Sequence, residues 1–530
     1  MSLAELGQTP GKVETLMQTG HYTDDPLAAF ATLCSDSAHS LLLESAEIDS
    51  KDNLQSLLLV DAALRFECQG QTVTVEALTP NGRTVLPLFC SHAPQGITVT
   101  QHDASTLSLT VAPPDPSLDE DSRLKASSVF DALRLIKDQL TPIRQHPHAV
   151  FMAGAFAYDL LGAFEPLPDV AEGENTCPDY VFYLAETLIM FDHQTRETEL
   201  LGSVFSGEDV ALQYFAVSQR LEALRERLHD VAPLSSGQSV PATTEPDVDK
   251  NDSAYCDDVR YLKSHILAGD IFQVVPSRTF SLPCPDALAA YAQLKVQNPS
   301  PYMFYMQDRD FSIFGASPES ALKYDSDDNQ VEVYPIAGTR KRGKHADGSI
   351  NADLDSRIEL NLREDDKEKS EHIMLVDLAR NDVARVSRPG SRYVKDLLKV
   401  DRYSHVMHLV SRVVGQLRDD LDALHAYQAC MNMGTLVGAP KISAASLIRQ
   451  VEGKRRGSYG GAVGYINGQG DMDTCIVIRS AFVRQGRAYI QAGAGVVHDS
   501  DPQSEADETR NKAQAVINAV ANASQQGGAA

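Results

Sequence analysis

Tryptophan is absent from all 530 residues, so any indole emission from a mixture with this chain comes from something added to it. Positive charge is scarce: 47 Lys and Arg against 73 Asp and Glu leave a formal net charge of -26. That balance argues against nucleic acid and anionic membrane as partners, since both need a basic footprint. An anionic substrate would have to be drawn by a few local cations or a metal. No unbroken apolar run is long enough to span a bilayer. The first eleven residues lack the basic start and apolar core of a signal peptide. The eight cysteines, Cys34, Cys68, Cys90, Cys177, Cys256, Cys284, Cys430 and Cys475, contain no CxxC pair. Neither a zinc site nor a redox motif is therefore visible, and a reduced cytoplasmic protein with buried free thiols is expected.

What is present is ordinary for a globular chain, 43% hydrophobic and 23% charged. The length exceeds one ordinary domain. The spacing of apolar runs between Gly, Pro and Asp predicts short strands at 41–43, 57–60, 72–75, 97–100 and 184–191, then a helix over 210–228. A polar, proline-bearing stretch follows. The expected division is an N-terminal region 1–232, a linker 233–252 and a catalytic region 253–524. The last region alternates strands (271–275, 311–315, 331–336, 461–466, 474–482, 488–492) with a helix at 257–268 and long helices at 357–386 and 504–523. The irregular mixing favours α+β.

Three constellations carry possible chemistry. In the first, Glu371, Leu375 and Leu378 fall at i, i+4 and i+7, placing a carboxylate on an apolar helix face. Such a group must be desolvated, paired or metal-bound; a glutamate at the edge of a solvated face fits equally. In the second, Glu508 and Lys512 are an i,i+4 pair, either a surface pair worth a few tenths of a kcal/mol or part of a site. Two glutamates from two helices plus water suit Mg²⁺, and no histidine cluster competes for a softer metal. The third is a set of glycine-rich turns at 434–441, 457–461 and 492–495. The first of these lacks the Gly-Lys-Ser/Thr ending of a nucleotide loop. Exposed amides there suit a carboxylate, and Arg479 at a strand end could add a bidentate contact.

Together with 271–278, 315–320, 335–339 and 473–479, these stretches resemble the chorismate-utilising enzymes. Agreement with the anthranilate synthase branch of that family includes 41–48 and 298–303 and runs over nearly the whole chain. The resemblance implies an α+β fold of the anthranilate synthase component I type, with large mixed sheets packed with helices. It implies that ammonia adds to chorismate at C2 while the C4 hydroxyl leaves, and that pyruvate is then eliminated. Mg²⁺ would be held by Glu371 and Glu508. Arg479, Tyr459, Lys512 and the amides of Gly493, Ala494 and Gly495 would hold substrate, with Gly338 and Thr339 lining the ring. Glu319 is the implied general acid, a role that needs a raised pKa. His408 and Thr435 complete the implied catalytic set. Glu44, Ser45, Pro301, Tyr302 and Met303 would form a feedback site for L-tryptophan.

Two positions separate the branches of the family. Gln273 stands where water-using members carry a lysine base, and Ala337 stands where aminodeoxychorismate synthases carry a nucleophilic lysine. Direct attack by ammonia is the remaining route. No Gly-x-Cys-x-Gly turn is present, so ammonia must come from a separate glutamine amidotransferase subunit or from solution. An aminodeoxychorismate synthase and a catalytically silent amino-acid sensor are the competing readings. The set Glu371, Glu508, Arg479 and Glu319 argues against the second.

Overall fold

The computed structural model describes residues 3–527, apart from 36, 46–53, 114, 116, 233–244, 346, 404 and 405. Part of the expected linker and residues 46–48 of the expected feedback segment lie outside the described residues. The rest of the 233–252 stretch holds the short strand Asp247–Val248 and the start of the helix Asp252–Ala268.

The architecture is α+β and almost wholly antiparallel. Among the described residues, 23 strands are joined by backbone hydrogen bonds into one system, with one parallel pair, at Lys12↔Thr141. The apolar runs are continuous rather than alternating because both faces of the strands are buried. Leu41, Leu57, Leu59, Phe304 and Met306 enter a core built mainly of strand residues. Their chain neighbours Leu42, Leu58, Val60, Met303 and Tyr305 point the other way, into a core shared with helices. Tyr291 and Leu294 of the helix Ala287–Gln297 and Val516, Ile517 and Val520 of the C-terminal helix Pro502–Gly527 close that layer. This is the layering expected of sheets packed face to face and flanked by helices.

Strands from either side of residues 233–252 pair directly. Ser40–Glu44 lies between Gln55–Gln69 and Tyr302–Gln307, and Phe151–Phe156 lies between Tyr180–Asp192 and Ala462–Asn467. The stretches on either side of 233–252 thus share hydrogen-bonded sheet and cores.

Two expected elements are each split. The helix expected over 357–386 is two, Ala352–Glu364 and Asp366–Val386. Asp365 between them is extended, and its carboxylate accepts from the amides of Lys367 and Glu368, starting a new helix. The strand expected over 474–482 is also two, Met472–Ile476 and Ser480–Arg484. Between them Arg479 adopts φ +50, a left-handed conformation uncommon outside glycine.

Candidate functional site

The site is assembled from strand ends, two glycine turns and two helix faces. Ile336–Lys341 pairs with Val406–Gln416 in a register that sets Thr339 opposite His408. Thr339 Oγ1 and His408 Nδ1 lie 2.9 Å apart. The register shifts between Ala337 and Thr339, where Gly338 has φ +79. A Cβ on Gly338 would fall 3.1 Å from Glu368 Oε2, so glycine lets this strand approach the Asp366–Val386 helix. Burial, with Arg479 adding to it, lowers His408 to about 4, so its ring is neutral at neutral pH.

Arg479 is the centre of the charged groups. Its left-handed backbone breaks the strand and turns the guanidinium out of the ladder. Nη1 donates to the carbonyl of Lys512 at 2.8 Å, and no carboxylate ion pair holds it among the described residues. Its charge acts on Glu319, His408, Tyr459 and Glu508, and desolvation lowers its own pKa. Strain at a residue of this kind is common where a side chain must be aimed at a ligand.

Glu319 is buried, 6% exposed. Burial pushes its pKa up to about 8, against the hydrogen bond donated by Thr435 Oγ1 at 2.9 Å and the charges of Lys512 and Arg479. A carboxyl with this environment stays protonated through neutral pH.

Lys512 spans two parts of the site. Nζ donates to the Gly493 carbonyl at 3.0 Å and pairs with Glu508 at 2.6 Å. The Tyr459 hydroxyl lies 3.1 Å from where a Cβ on Gly493 would sit, and the Gln273 amide nitrogen lies 2.8 Å from the same point on Gly495. A Cβ on Gly493 would also fall 2.8 Å from the Pro276 carbonyl oxygen, so close approach of backbone requires glycine there. The expected three-amide cradle is smaller than the sequence suggests. The Ala494 amide already donates to the Pro276 carbonyl at 3.2 Å, so it is engaged within the sheet.

The acidic groups converge from two helices. Burial pushes Glu371 up to about 7, and the like charges of Glu368, Glu505 and Glu508 add to it. Lys367 opposes them from 3.9 Å. Glu505 is likewise raised by burial and by Glu508. Among the described residues no three His, Cys, Asp or Glu side chains form a ready metal cage. The donor set still fits Mg²⁺: all oxygen, drawn from Glu371 and Glu508, with mutual repulsion that a cation would relieve. Mg²⁺ takes few carboxylates and completes its octahedron with water and substrate oxygens. Glu505 and Glu368 were not singled out from the sequence. Each sits in the acidic first turn of its helix, where carboxylates are favoured for reasons unrelated to function. Glu368 is moreover paired with Arg340 at 2.8 Å.

The implied effector residues lie elsewhere, around a cavity of about 550 Å³. Glu44 and Met303 face each other across paired strands, and Ser45, Pro301 and Tyr302 line the same cavity. Glu44 is fully engaged: Tyr291 donates to one oxygen at 2.6 Å and Lys295 to the other at 2.5 Å.

A family model described as chorismate binding enzyme matches residues 95–518. The chain is 59% identical over 517 residues to anthranilate synthase component 1 of Vibrio parahaemolyticus, covering 97% of this chain and 94% of the relative. It is 58% identical over 511 residues to that of Escherichia coli, covering 96% and 97%. The solved structure of anthranilate synthase component I from Streptococcus pneumoniae superposes with a TM-score of 0.65 at 27% identity, covering 89% of this chain and 94% of that one.

Proposed function

The chain belongs to the chorismate binding enzymes and is a lyase of the anthranilate synthase component 1 type, and from that premise we propose how its residues divide the work. Chorismate binds with its enolpyruvyl carboxylate on Arg479, the Tyr459 hydroxyl and the backbone at Gly493 and Gly495, and with its ring against Gly338 and Thr339. The single observation that supports this most is Arg479: a desolvated guanidinium with only a carbonyl partner, within the field of four other site residues. A buried cation without a counter-ion is costly, and a substrate carboxylate removes that cost. Glu371 and Glu508 hold Mg²⁺, which when bound withdraws electron density from the substrate.

Ammonia forms a bond to C2, and the C4–O bond breaks with the ring electrons shifting between them. Glu319 gives its proton to the departing hydroxyl, which leaves as water. Thr435 holds the Glu319 carboxyl in position through its hydrogen bond. Loss of the C2 proton then expels the enolpyruvyl group as pyruvate and leaves an aromatic ring. His408, neutral and fixed by Thr339, contributes to that second stage. No amidotransferase nucleophile is present, so a glutamine amidotransferase subunit supplies the ammonia. L-Tryptophan inhibits by entering the Glu44 cavity, where its ammonium displaces Lys295 from the carboxylate.

The test is product formation from chorismate and Mg²⁺ by the purified chain. Ammonium at alkaline pH, where free ammonia exists, gives anthranilate and pyruvate; glutamine gives neither until the amidotransferase subunit is added. A 4-amino product by mass and fluorescence, or glutamine turnover by the chain alone, overturns the assignment.

A further inference from the structure

Arg456 is a second buried cation near the substrate groups, and it is held in the opposite way to Arg479. It is 1% exposed. Glu452, the last residue of the helix Lys441–Glu452, lies four positions before it, across a left-handed turn at Gly453. The two close as a fork: Nε donates to Glu452 Oε2 at 2.9 Å, and Nη2 donates to Oε1 at 2.6 Å. Nη1 donates to the Leu436 carbonyl at 2.9 Å, and Nη2 also donates to that of Val275 at 2.7 Å. With its charge matched and its donors committed inside the protein, Arg456 is not placed to take a substrate carboxylate itself. Its contacts lie one residue from groups that are. Leu436 follows Thr435, whose hydroxyl donates to Glu319. Val275 precedes Pro276, whose carbonyl accepts the Ala494 amide and lies against Gly493. The guanidinium carbon sits 4.5 Å from the ring centre of Tyr158 and 5.5 Å from that of Tyr459. Glu452 Oε1 also accepts from the Ser277 amide at 2.8 Å and the Ser277 hydroxyl at 2.7 Å, and Ser277 pairs with Gly493 across the strands.

We propose that Arg456, held by Glu452, is a positioning residue of the substrate site: it fixes the Tyr459 ring so that the Tyr459 hydroxyl meets the enolpyruvyl carboxylate of chorismate. The inference rests on the reading above that Tyr459 and Arg479 bind that carboxylate. The Tyr459 hydroxyl lies beside Gly493, which leaves the face of the ring as the part a cation can hold. Attraction between a desolvated cation and a ring face is directional and fixes the plane of the ring. Burial pushes the Tyr459 hydroxyl up to about 12, so it keeps its proton and can donate. Arg456 works against that burial and makes the hydroxyl the stronger donor. A stability role accounts for the pair less well. Apolar side chains of the same volume often serve the fold as well as a buried ion pair, or better. They could not bind two carbonyls and a carboxylate at fixed angles beside Thr435 and Tyr459.

The experiment is a double-mutant cycle on the full chain, assayed with chorismate, Mg²⁺ and ammonium. Arg456→Lys keeps the charge and loses the fork. KM for chorismate is expected to rise about tenfold with kcat within about threefold, because the carboxylate is bound alike before and during the chemistry. Tyr459→Phe keeps the ring and removes the hydroxyl, and it should raise KM by a similar factor. The double variant should then be no more than about twofold worse than Tyr459→Phe, since the hydroxyl that Arg456 aims is already gone. An arginine that only supports the fold predicts the same loss in both backgrounds, in kcat as much as in KM, and that result overturns the proposal. An unchanged KM in Arg456→Lys overturns it too. If Arg456→Lys does not fold, as judged by far-UV circular dichroism, Glu452→Gln carries the same cycle. It is expected to raise KM about threefold with the Tyr459 hydroxyl present and not at all without it; equal rises in both backgrounds again overturn the proposal. An unchanged KM in Tyr459→Phe alone overturns the reading of the carboxylate site itself, whatever Arg456 does.

Discussion

The proposed substrate site around Arg479 and the Glu44 cavity differ in how charge is paired. Around Arg479, Lys512 and Glu508 meet at 2.6 Å, but among the described residues three other charged groups lack a close opposite partner. The guanidinium has a carbonyl, Glu319 has a threonine hydroxyl, and Glu371 has other carboxylates nearby and a lysine at 3.9 Å. Around Glu44 the pairing is complete, with Lys295 and Tyr291 on the two oxygens. A ligand entering the first site removes a standing electrostatic cost, so binding and chemistry can draw on it. A ligand entering the second must exchange one partner for another. Such an exchange is nearly balanced, which suits a site that reports a concentration rather than one that holds tightly.

The largest effect should come from removing one of the two carboxylates proposed to hold the metal. Glu371→Gln or Glu508→Gln is expected to cut turnover by about three orders of magnitude, of the size seen when a preorganised charge is lost from a transition state. Thermal unfolding should move little, because Glu371→Gln removes like-charge repulsion and Glu508→Gln gives up only a largely exposed pair with Lys512. Dialysis against EDTA should silence the unsubstituted enzyme, and added Mg²⁺ should restore it. Full activity in either variant would break the contrast at its strongest point.

Next in size is the acid. Glu319→Gln should cost about 10²- to 10⁴-fold in kcat, the usual range for general acid–base groups. The active form is protonated, so activity should fall as pH rises through about 8, and that limb should vanish in the variant. The stability consequence has a definite sign. The folded pKa lies above the unfolded one, so the native state holds the proton while the unfolded chain has lost it. Stability is then lost as pH rises between the ordinary glutamate value and about 8, and the cost is complete above that. Glu319→Gln should therefore unfold at a higher temperature than the unsubstituted chain at alkaline pH and show no gain at acid pH.

A smaller loss, in binding rather than chemistry, is expected at the cation. Arg479→Gln should raise KM for chorismate by about 10- to 100-fold, the worth of one or two charge-assisted hydrogen bonds. Arg479→Lys should recover little, since a lysine cannot reproduce a fork. An unchanged KM would mean that the carboxylate lies elsewhere.

How much of this was legible follows from what is local. Glu371, Leu375 and Leu378 could be placed on one helix face because the face depends only on a 3.6-residue period. The break at Arg479 could not, since 474–482 reads as one strand and φ +50 leaves no mark on composition. The start of the Glu371 helix was hidden for a related reason: Glu364, Asp365, Asp366 and Lys367 form one charge run, in which a capping aspartate looks like any other. The engagement of Ala494 by Pro276 and of Glu44 by Lys295 joins residues more than 200 positions apart. Register across such distances is set by packing of the whole sheet, which no window contains. The same holds for the boundary at 233–252. Composition marks it, yet Ser40–Glu44 pairs with Tyr302–Gln307 across it.

The smallest effect on basal activity, and the sharpest test of the contrast, lies in the Glu44 cavity. Ser45 borders it beside Glu44, and Pro301, Tyr302 and Met303 line it as well. Ser45→Phe should place a ring in the space an indole would occupy while touching none of the substrate groups. Ammonium-dependent turnover is expected to stay within about twofold, because residues this far from the chemistry change rate only through the states they favour. Inhibition by L-tryptophan should weaken at least about tenfold, as for loss of one well-packed ligand group. Since the chain has no tryptophan, the ligand's own emission can be followed without background. It should shift saturably on binding, reverse when chorismate is added, as linkage requires, and show no shift with Ser45→Phe. Lys295→Met extends the argument. It frees Glu44 from its cation at the cost of a buried charge, so an entering ammonium no longer has to displace one, and L-tryptophan should bind more tightly rather than less. Weaker binding in that variant would show that Lys295 holds the ligand's carboxylate instead of competing with its ammonium.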